Sequence, residues 1–205
     1  MASEDPYTYD DRFRAEGYYS LSGVDEAGRG PLAGPVVASA VVLPPGVRIA
    51  GLKDSKKLSA RQREALFWEI LTEAEDIGVG VVGPDEIDRI NIYRATKQAM
   101  ITAVEDLGKA PGILIIDAME LSLKIKQVSM PRAESISASV AAASIIAKVT
   151  RDRLMEHFHS LYPAYGFKKH KGYATRMHIE MLEKHGPCPI HRRSFSPVAA
   201  LSLPF

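Results

Sequence analysis

Asp25 and Glu26 stand side by side at the end of an apolar run, Asp117 ends a second, and Asp152 lies inside a long helical pattern. Carboxylates that crowd together repel, and they stay ionised as a group only beside a compensating positive charge. A hard cation with oxygen ligands, Mg2+ or Mn2+, suits such a set. Two such ions about 4 Å apart, held by shared carboxylates, cut phosphodiesters. One residue beyond the first pair comes Gly28-Arg29-Gly30, a flexible loop with one cation. Acids to hold metal beside a loop that meets something anionic suggest a metal-dependent nuclease or a phosphoryl-transfer enzyme.

Plainer readings compete with each signal. An aspartate at a strand end often serves as a turn or cap residue. Asp152 shares a helix face with Lys148 one turn earlier and can simply pair with it. Gly28-x-Gly30 is weak as a nucleotide fingerprint, because Pro31 and a strand follow it. His185-x-x-Cys188-x-x-His191 has zinc-like spacing, but with one cysteine in the chain an incidental loop is the better reading. Lys168-Lys169-His170-Lys171 reads as a solvated charge run, although Phe167 and Tyr173 flank it and aromatics among bases suit stacking on nucleic acid.

The elements that must position these residues follow from apolar spacing. Strands are expected over Leu21 to Glu26, Val36 to Leu43, Ile77 to Val82, Ile113 to Asp117 and Leu123 to Val128. If the first and fourth are parallel neighbours, Asp25, Glu26 and Asp117 converge, since ligands collect beyond the carboxyl ends of strands. Side chains alternate along a strand, so Glu26 is expected where the chain leaves it. Ser59 with Gln62 predicts a capping box opening a helix to about Glu75. Pro84 opens a helical turn, and Ala95 to Leu107 mark a longer helix. Ile136 to Leu161 trace a long helix whose Ala- and Ser-rich middle permits close packing on a sheet. A last helix spans about Thr175 to His185. Residues 1–19 are expected to be a loose leader whose aromatics (Tyr7, Tyr9, Tyr18, Tyr19) can dock on the body, 20–165 the core, and 166–205 a basic helical segment and tail. The order implies an α/β layer fold.

Composition sets limits. The chain has 205 residues, 46% hydrophobic and 25% charged, which suits one folded domain. No apolar run approaches the roughly 18 residues that cross a bilayer. The acidic start lacks signal-peptide order, and Cys188 is the single cysteine, so a cytoplasmic location is expected; the chain is also expected to be a monomer. The net charge of +1 hides an uneven layout. Residues 166–195 hold seven bases (Lys168, Lys169, Lys171, Arg176, Lys184, Arg192, Arg193) against Glu180 and Glu183. Such a local excess can serve a polyanion.

The chain resembles the type 2 ribonucleases H, the bacterial HII class, from Gly23 to about Val198. The resemblance rests on ordered blocks: Gly23-Val24-Asp25-Glu26-Ala27-Gly28-Arg29-Gly30-Pro31, Leu52-Lys53-Asp54-Ser55-Lys56-Lys57-Leu58, Asn91-Ile92 and Ile116-Asp117. Ala143 to Asp152, His170-Lys171-Gly172-Tyr173 and His191-Arg192-Arg193-Ser194-Phe195 follow. It implies an RNase H-like fold, a five-stranded mixed sheet flanked by helices with a small C-terminal helical part. It implies cutting of RNA in RNA–DNA hybrids and incision 5′ to single ribonucleotides in duplex DNA. The family's metal-site acids fall on Asp25, Glu26, Asp117 and Asp152. Its ribose-sensing loop falls on Gly28, Arg29 and Gly30, and its junction-reading tyrosine on Tyr173. Lys53, Lys56, Lys148, Lys168 and Lys171 are candidates for phosphate contacts. Many relatives have glycine after the third acid, where this chain has Ala118. A type 3 ribonuclease H, with its extra N-terminal domain, and a silent hybrid-binding module are the alternatives. Ala200 to Phe205 partly resembles peptides that dock on sliding clamps, with Ala200 in place of the usual glutamine.

Overall fold

The computed structural model describes residues 5–52 and 58–201. It contains α1 (Pro6–Ala15), β1 (Leu21–Ala27), β2 (Val36–Val42), α2 (Ala60–Glu73), β3 (Asp76–Val82), α3 (Pro84–Ile90) and α4 (Ile92–Glu105). Then come β4 (Ile113–Asp117), β5 (Lys126–Met130), α5 (Ala138–Leu161), α6 (Phe167–His170), α7 (Arg176–His185) and α8 (Val198–Leu201). The five strands form one mixed sheet in the order β3-β2-β1-β4-β5. β1 runs antiparallel to β2 and parallel to β4, so the two acid-tipped strands are neighbours.

Alternation along the strands makes two cores. Val24, Val36, Ala38, Ala40, Leu114 and Ile116 face Ala95, Ala99, Met100 and Ala103 of α4. On the other face Val41 packs with α5 and with Leu66, Phe67 and Ile70 of α2. The Ser59–Gln62 capping box that starts α2 forms as the spacing predicts. Among the described residues no helix is long and apolar enough to cross a membrane.

Three expectations need correction. The leader's aromatics Tyr7, Tyr9 and Tyr18 dock on the body as expected, but the leader is not loose and folds as the helix α1. Asp10 is buried on it and accepts hydrogen bonds from Ser139 N–H at 2.9 Å and Ser139 Oγ at 2.8 Å, so it satisfies an N–H in the first turn of α5. The fifth strand starts at Lys126, later than expected. Its residues are half-exposed, and its register follows β4, pairing Asp117 with Met130, rather than the apolar run at Leu123. The helical turn expected at Pro84 and the longer helix after it form as α3 and α4, divided at Asn91, whose φ of 70° ends α3 while its side chain caps α4. Phe167 does not flank the basic run as a stacking surface. It is fully buried and stacks on Tyr165 at 5.4 Å.

Candidate metal centre and substrate groove

The parallel pairing of β1 with β4 stops at Val24 opposite Ile116. One step further along that register lie Asp25 and Asp117, where the two strands part. β1 itself continues to Ala27, paired with β2 alone. Glu26 is therefore still within the strand, contrary to expectation. With no neighbour on its β4 side, the strand end is free to turn. Glu26 lines a groove with Ser144 and Lys148 of α5 instead of facing α4. Asp25 is 6% exposed, and its Oδ1 accepts the Glu26 N–H at 2.7 Å. Asp117 accepts the Ala133 N–H at 3.0 Å. The residue after it, Ala118, has φ 52°, in the left-handed region where only a glycine is free of strain.

Electrostatics marks this spot as short of positive charge. Burial comes first, and then the charges of Glu26, Asp117 and Glu134 hold the Asp25 carboxyl well above the usual carboxylate range. Burial also raises Glu26, against the nearby Arg29, whose guanidinium reaches Oε1 at 3.3 Å. Glu26 Oε2 is buried without a hydrogen-bond partner. The sequence pattern does not single out Glu134. It sits in the short 3-10 turn Ala133–Ser135 before α5 and is 5% exposed. That stretch has no periodicity to read, and an acid just ahead of the Ala-rich helix was its only signal.

Asp152 stands apart. Its Oδ1 accepts from Lys148 Nζ at 2.6 Å, and it lines a neighbouring hollow with Arg63, Glu64, Arg153, Glu156 and Lys171. Among the described residues no three acids, histidines or cysteines stand close enough, as oriented here, to hold one ion. The donor set still fits a hard divalent cation. It is all oxygen, it includes a buried orphan at Glu26, and its charges lack compensation at Asp25.

The open groove beside the acids measures about 310 Å³. Glu26, Ala27, Gly28, Arg29, Gly30, Ser144, Lys148 and Tyr173 line it. The glycine loop and Tyr173 thus meet as expected. Gly28 has φ 103°, and a Cβ there would lie 2.1 Å from Arg151 Nε, so no larger residue fits. The lysines scatter. Lys148 is in the groove, Lys171 pairs with Glu156 at 2.7 Å, and Lys168 lines a separate hollow with Met177 and Met181. Lys53 and Lys56 lie outside the described residues.

Beneath Tyr173 is a buried histidine chain. Cys188 N–H donates to His191 Nδ1 at 3.0 Å, so His191 Nε2–H donates to His178 Nε2 at 3.1 Å. His178 Nδ1–H then donates to the Tyr173 carbonyl at 2.9 Å. Burial lowers both imidazoles to about 4, so the chain is neutral near pH 7. The zinc-like spacing around Cys188 is thus spent on hydrogen bonds that seat the Tyr173 turn.

A mixed sheet of this order, with acids where β1 and β4 diverge, defines the class as an RNase H-like nuclease. The family model for ribonuclease HII matches residues 22–198. The chain belongs to the ribonuclease HII family. It is 53% identical over 193 residues to a ribonuclease HII of Bacillus licheniformis, covering 94% of this chain and 76% of that one. Against the ribonuclease HII of Enterococcus faecalis it is 54% identical over 183 residues, covering 89% and 72%. The ribonuclease H2 of Pyrococcus horikoshii superposes with a TM-score of 0.77 at 30% identity, covering 89% of this chain and 96% of that one. Ribonuclease HII in the PCNA complex from Archaeoglobus fulgidus superposes at 0.69 and 29% identity, covering 80% and 87%. A ribonuclease HIII solved with Mn2+ shares the fold, with a TM-score of 0.65 at 23% identity, covering 90% and 69%. Membership makes this chain a ribonuclease H, an endoribonuclease of RNA–DNA hybrids from a divalent-metal-dependent family.

Proposed function

We propose that this enzyme also incises duplex DNA on the 5′ side of single embedded ribonucleotides, leaving 5′-phosphate and 3′-hydroxyl ends. The observation that carries the reading is the shared groove of Glu26, Gly28–Gly30, Lys148 and Tyr173. A loop that approaches a sugar closely beside an acid centre couples sensing of a 2′-hydroxyl, the group that separates RNA from DNA, to the place of cutting. Tyr173 is 45% exposed at the groove wall and free to stack on a neighbouring sugar.

Asp25, Glu26, Asp117 and Asp152 would hold the divalent ions, Mg2+ or Mn2+, with Asp152 exchanging Lys148 for metal. Bound there, two such ions would supply an activated water and stabilisation of the leaving 3′-oxygen. Asp25, fixed by the Glu26 N–H, keeps one oxygen directed and the other for a ligand. Lys148, released from Asp152, is placed to meet a phosphate at the groove.

A duplex with one ribonucleotide, incubated with Mg2+ or Mn2+, is expected to be nicked 5′ to it. Intact substrate at high enzyme overturns the reading. Tyr173→Ala should lose about tenfold or more on that substrate, since one stacking contact is worth about 1–3 kcal/mol. Cutting of long hybrids should fall less. Full activity of the variant at a single ribonucleotide would instead favour a general hybrid nuclease.

We further infer a sliding-clamp contact through Ala200 to Phe205, of which 202–205 lie outside the described residues. The A. fulgidus complex with PCNA supports a clamp contact in a relative. The tail reading fails if clamp binding is equal with and without the last six residues.

A further inference from the structure

Two arginines are fully buried behind the groove, and their guanidinium groups donate to backbone carbonyls. Arg151 reaches the carbonyls of Pro35 at 3.0 Å, Lys171 at 2.9 Å and Ala33 at 3.1 Å. Arg192 reaches those of Gly34 at 2.9 Å, Arg29 at 3.0 Å and Gly28 at 2.6 Å. A buried cation is costly, and an apolar side chain often serves a core as well. What a guanidinium adds is a rigid fork of donors in one plane. Here the fork of Arg192 gathers three carbonyls of one loop, at both of its ends.

The consequence follows from peptide planarity. In a trans peptide the C=O and the next N–H point in opposite directions. Holding the Gly28 carbonyl inward turns the Arg29 N–H outward. Holding the Arg29 carbonyl inward does the same for the Gly30 N–H. Among the described residues neither N–H has a hydrogen-bond partner, and both residues line the groove. The main chain of 28–34 is further laced to the C-terminal segment by Arg192 N–H to Leu32 O and Gly34 N–H to Ile190 O, each 2.8 Å.

We propose that Arg192 is a positioning residue for ribose recognition: by pinning the Gly28 and Arg29 carbonyls it aims the Arg29 and Gly30 N–H groups into the groove as donors for a 2′-hydroxyl. Arg151 acts alongside it on the Lys171 carbonyl, two residues before Tyr173. The proposal rests on the reading of the groove as a ribonucleotide sensor.

The test uses Arg192→Met and Arg192→Lys in the full chain. Amide exchange of Arg29 and Gly30 is measured without substrate, alongside kcat and KM on a duplex with one ribonucleotide. In Arg192→Met, exchange at these two amides should rise at least tenfold while α4 stays protected. Its kcat should fall about 10²-fold, the loss that follows a misplacement of about 1 Å, with KM within about threefold because phosphate contacts remain. Arg192→Lys, which keeps the charge and part of the bonding, should recover about tenfold of that loss, and it carries the test where the Met variant does not fold. Unchanged exchange at Arg29 and Gly30, or loosening spread evenly through the core, overturns the proposal. So does a folded Met variant with wild-type kcat. Failure of the wild type to nick the duplex strikes the ribonucleotide reading, whereas exchange still reads the loop by itself.

Discussion

Replacing Asp25 with asparagine is expected to slow hybrid cleavage by about 10³-fold or more and, at the same time, to stabilise the metal-free protein. Both effects have one origin. Asp25 is buried where burial and the charges of Glu26, Asp117 and Glu134 all oppose its ionised form. Asparagine keeps the size and an acceptor oxygen for the Glu26 N–H, so the local bond at 2.7 Å can survive. It removes one negative charge from the cluster. A buried charged group without compensation costs about 2 kcal/mol or more. For a chain of this size, relief of that amount raises the melting temperature by about 5 °C. The catalytic loss follows because a metal centre contributes several kcal/mol to the transition state, at 1.36 kcal/mol per tenfold. Thermal unfolding with and without Mn2+ separates the two effects. The wild type should gain stability on adding metal, and Asp25→Asn should gain much less. An Asp25→Asn protein that cleaves within tenfold of wild type, or that melts lower without metal, would remove Asp25 from the centre.

That Asp25 and Asp117 lie where two neighbouring strands part is readable because two apolar runs end in acids and the strands carrying those runs are parallel neighbours. The register needed no tertiary information beyond that pairing. Other features depended on contacts remote in sequence. α1 carries buried Asp10 and Tyr7 among charged residues, and its reason for being ordered lies in α5, at Ser139. Glu134 sits in an irregular turn, where no period distinguishes a buried acid from a loop acid. Arg151 and Arg192 read as surface charges in basic stretches, and only the carbonyls of 28–35 and 171 explain their burial. Lysines show charge in a sequence but not direction, so Lys171 on Glu156 and Lys168 in a separate hollow could not be foreseen. Asp152 carries two readings at once: the helix spacing predicts the pairing with Lys148 that the structure shows, and the family resemblance implies a metal ligand, a role we propose. Both hold if the pair opens when metal and substrate arrive.

Gly23→Ala is expected to lower the melting temperature by about 10 °C or more. Gly23 lies in β1 two residues before Asp25, on the face that α5 covers. A Cβ there would fall 2.1 Å from the Ser139 carbonyl carbon, 2.2 Å from Val140 N and 2.4 Å from Ser139 O. These are backbone atoms, and no rotamer change relieves them. Overpacking an ordinary core costs about 1–3 kcal/mol. Here the start of α5 must move as a whole, against Asp10 on Ser139 and against Val140 packed on Leu21, Ile113 and Ile115. A cost of about 4 kcal/mol or more follows, at about 2–4 °C per kcal/mol. Gly30→Ala is the control. Its Cβ would meet only Tyr173 Cε1, at 3.9 Å, so melting should stay within about 2 °C. Circular dichroism melts of the two variants decide the matter, and a Gly23→Ala protein that melts like wild type would refute the packing account. The same displacement reaches the site. α5 carries Ser144 and Lys148 to the groove and Arg151 to the loop carbonyls, all from one rigid helix. Pushing its first turn off β1 tilts that whole row relative to Asp25. Whatever fraction of Gly23→Ala remains folded should therefore cleave about 10²-fold more slowly, because positions fixed by one helix shift together.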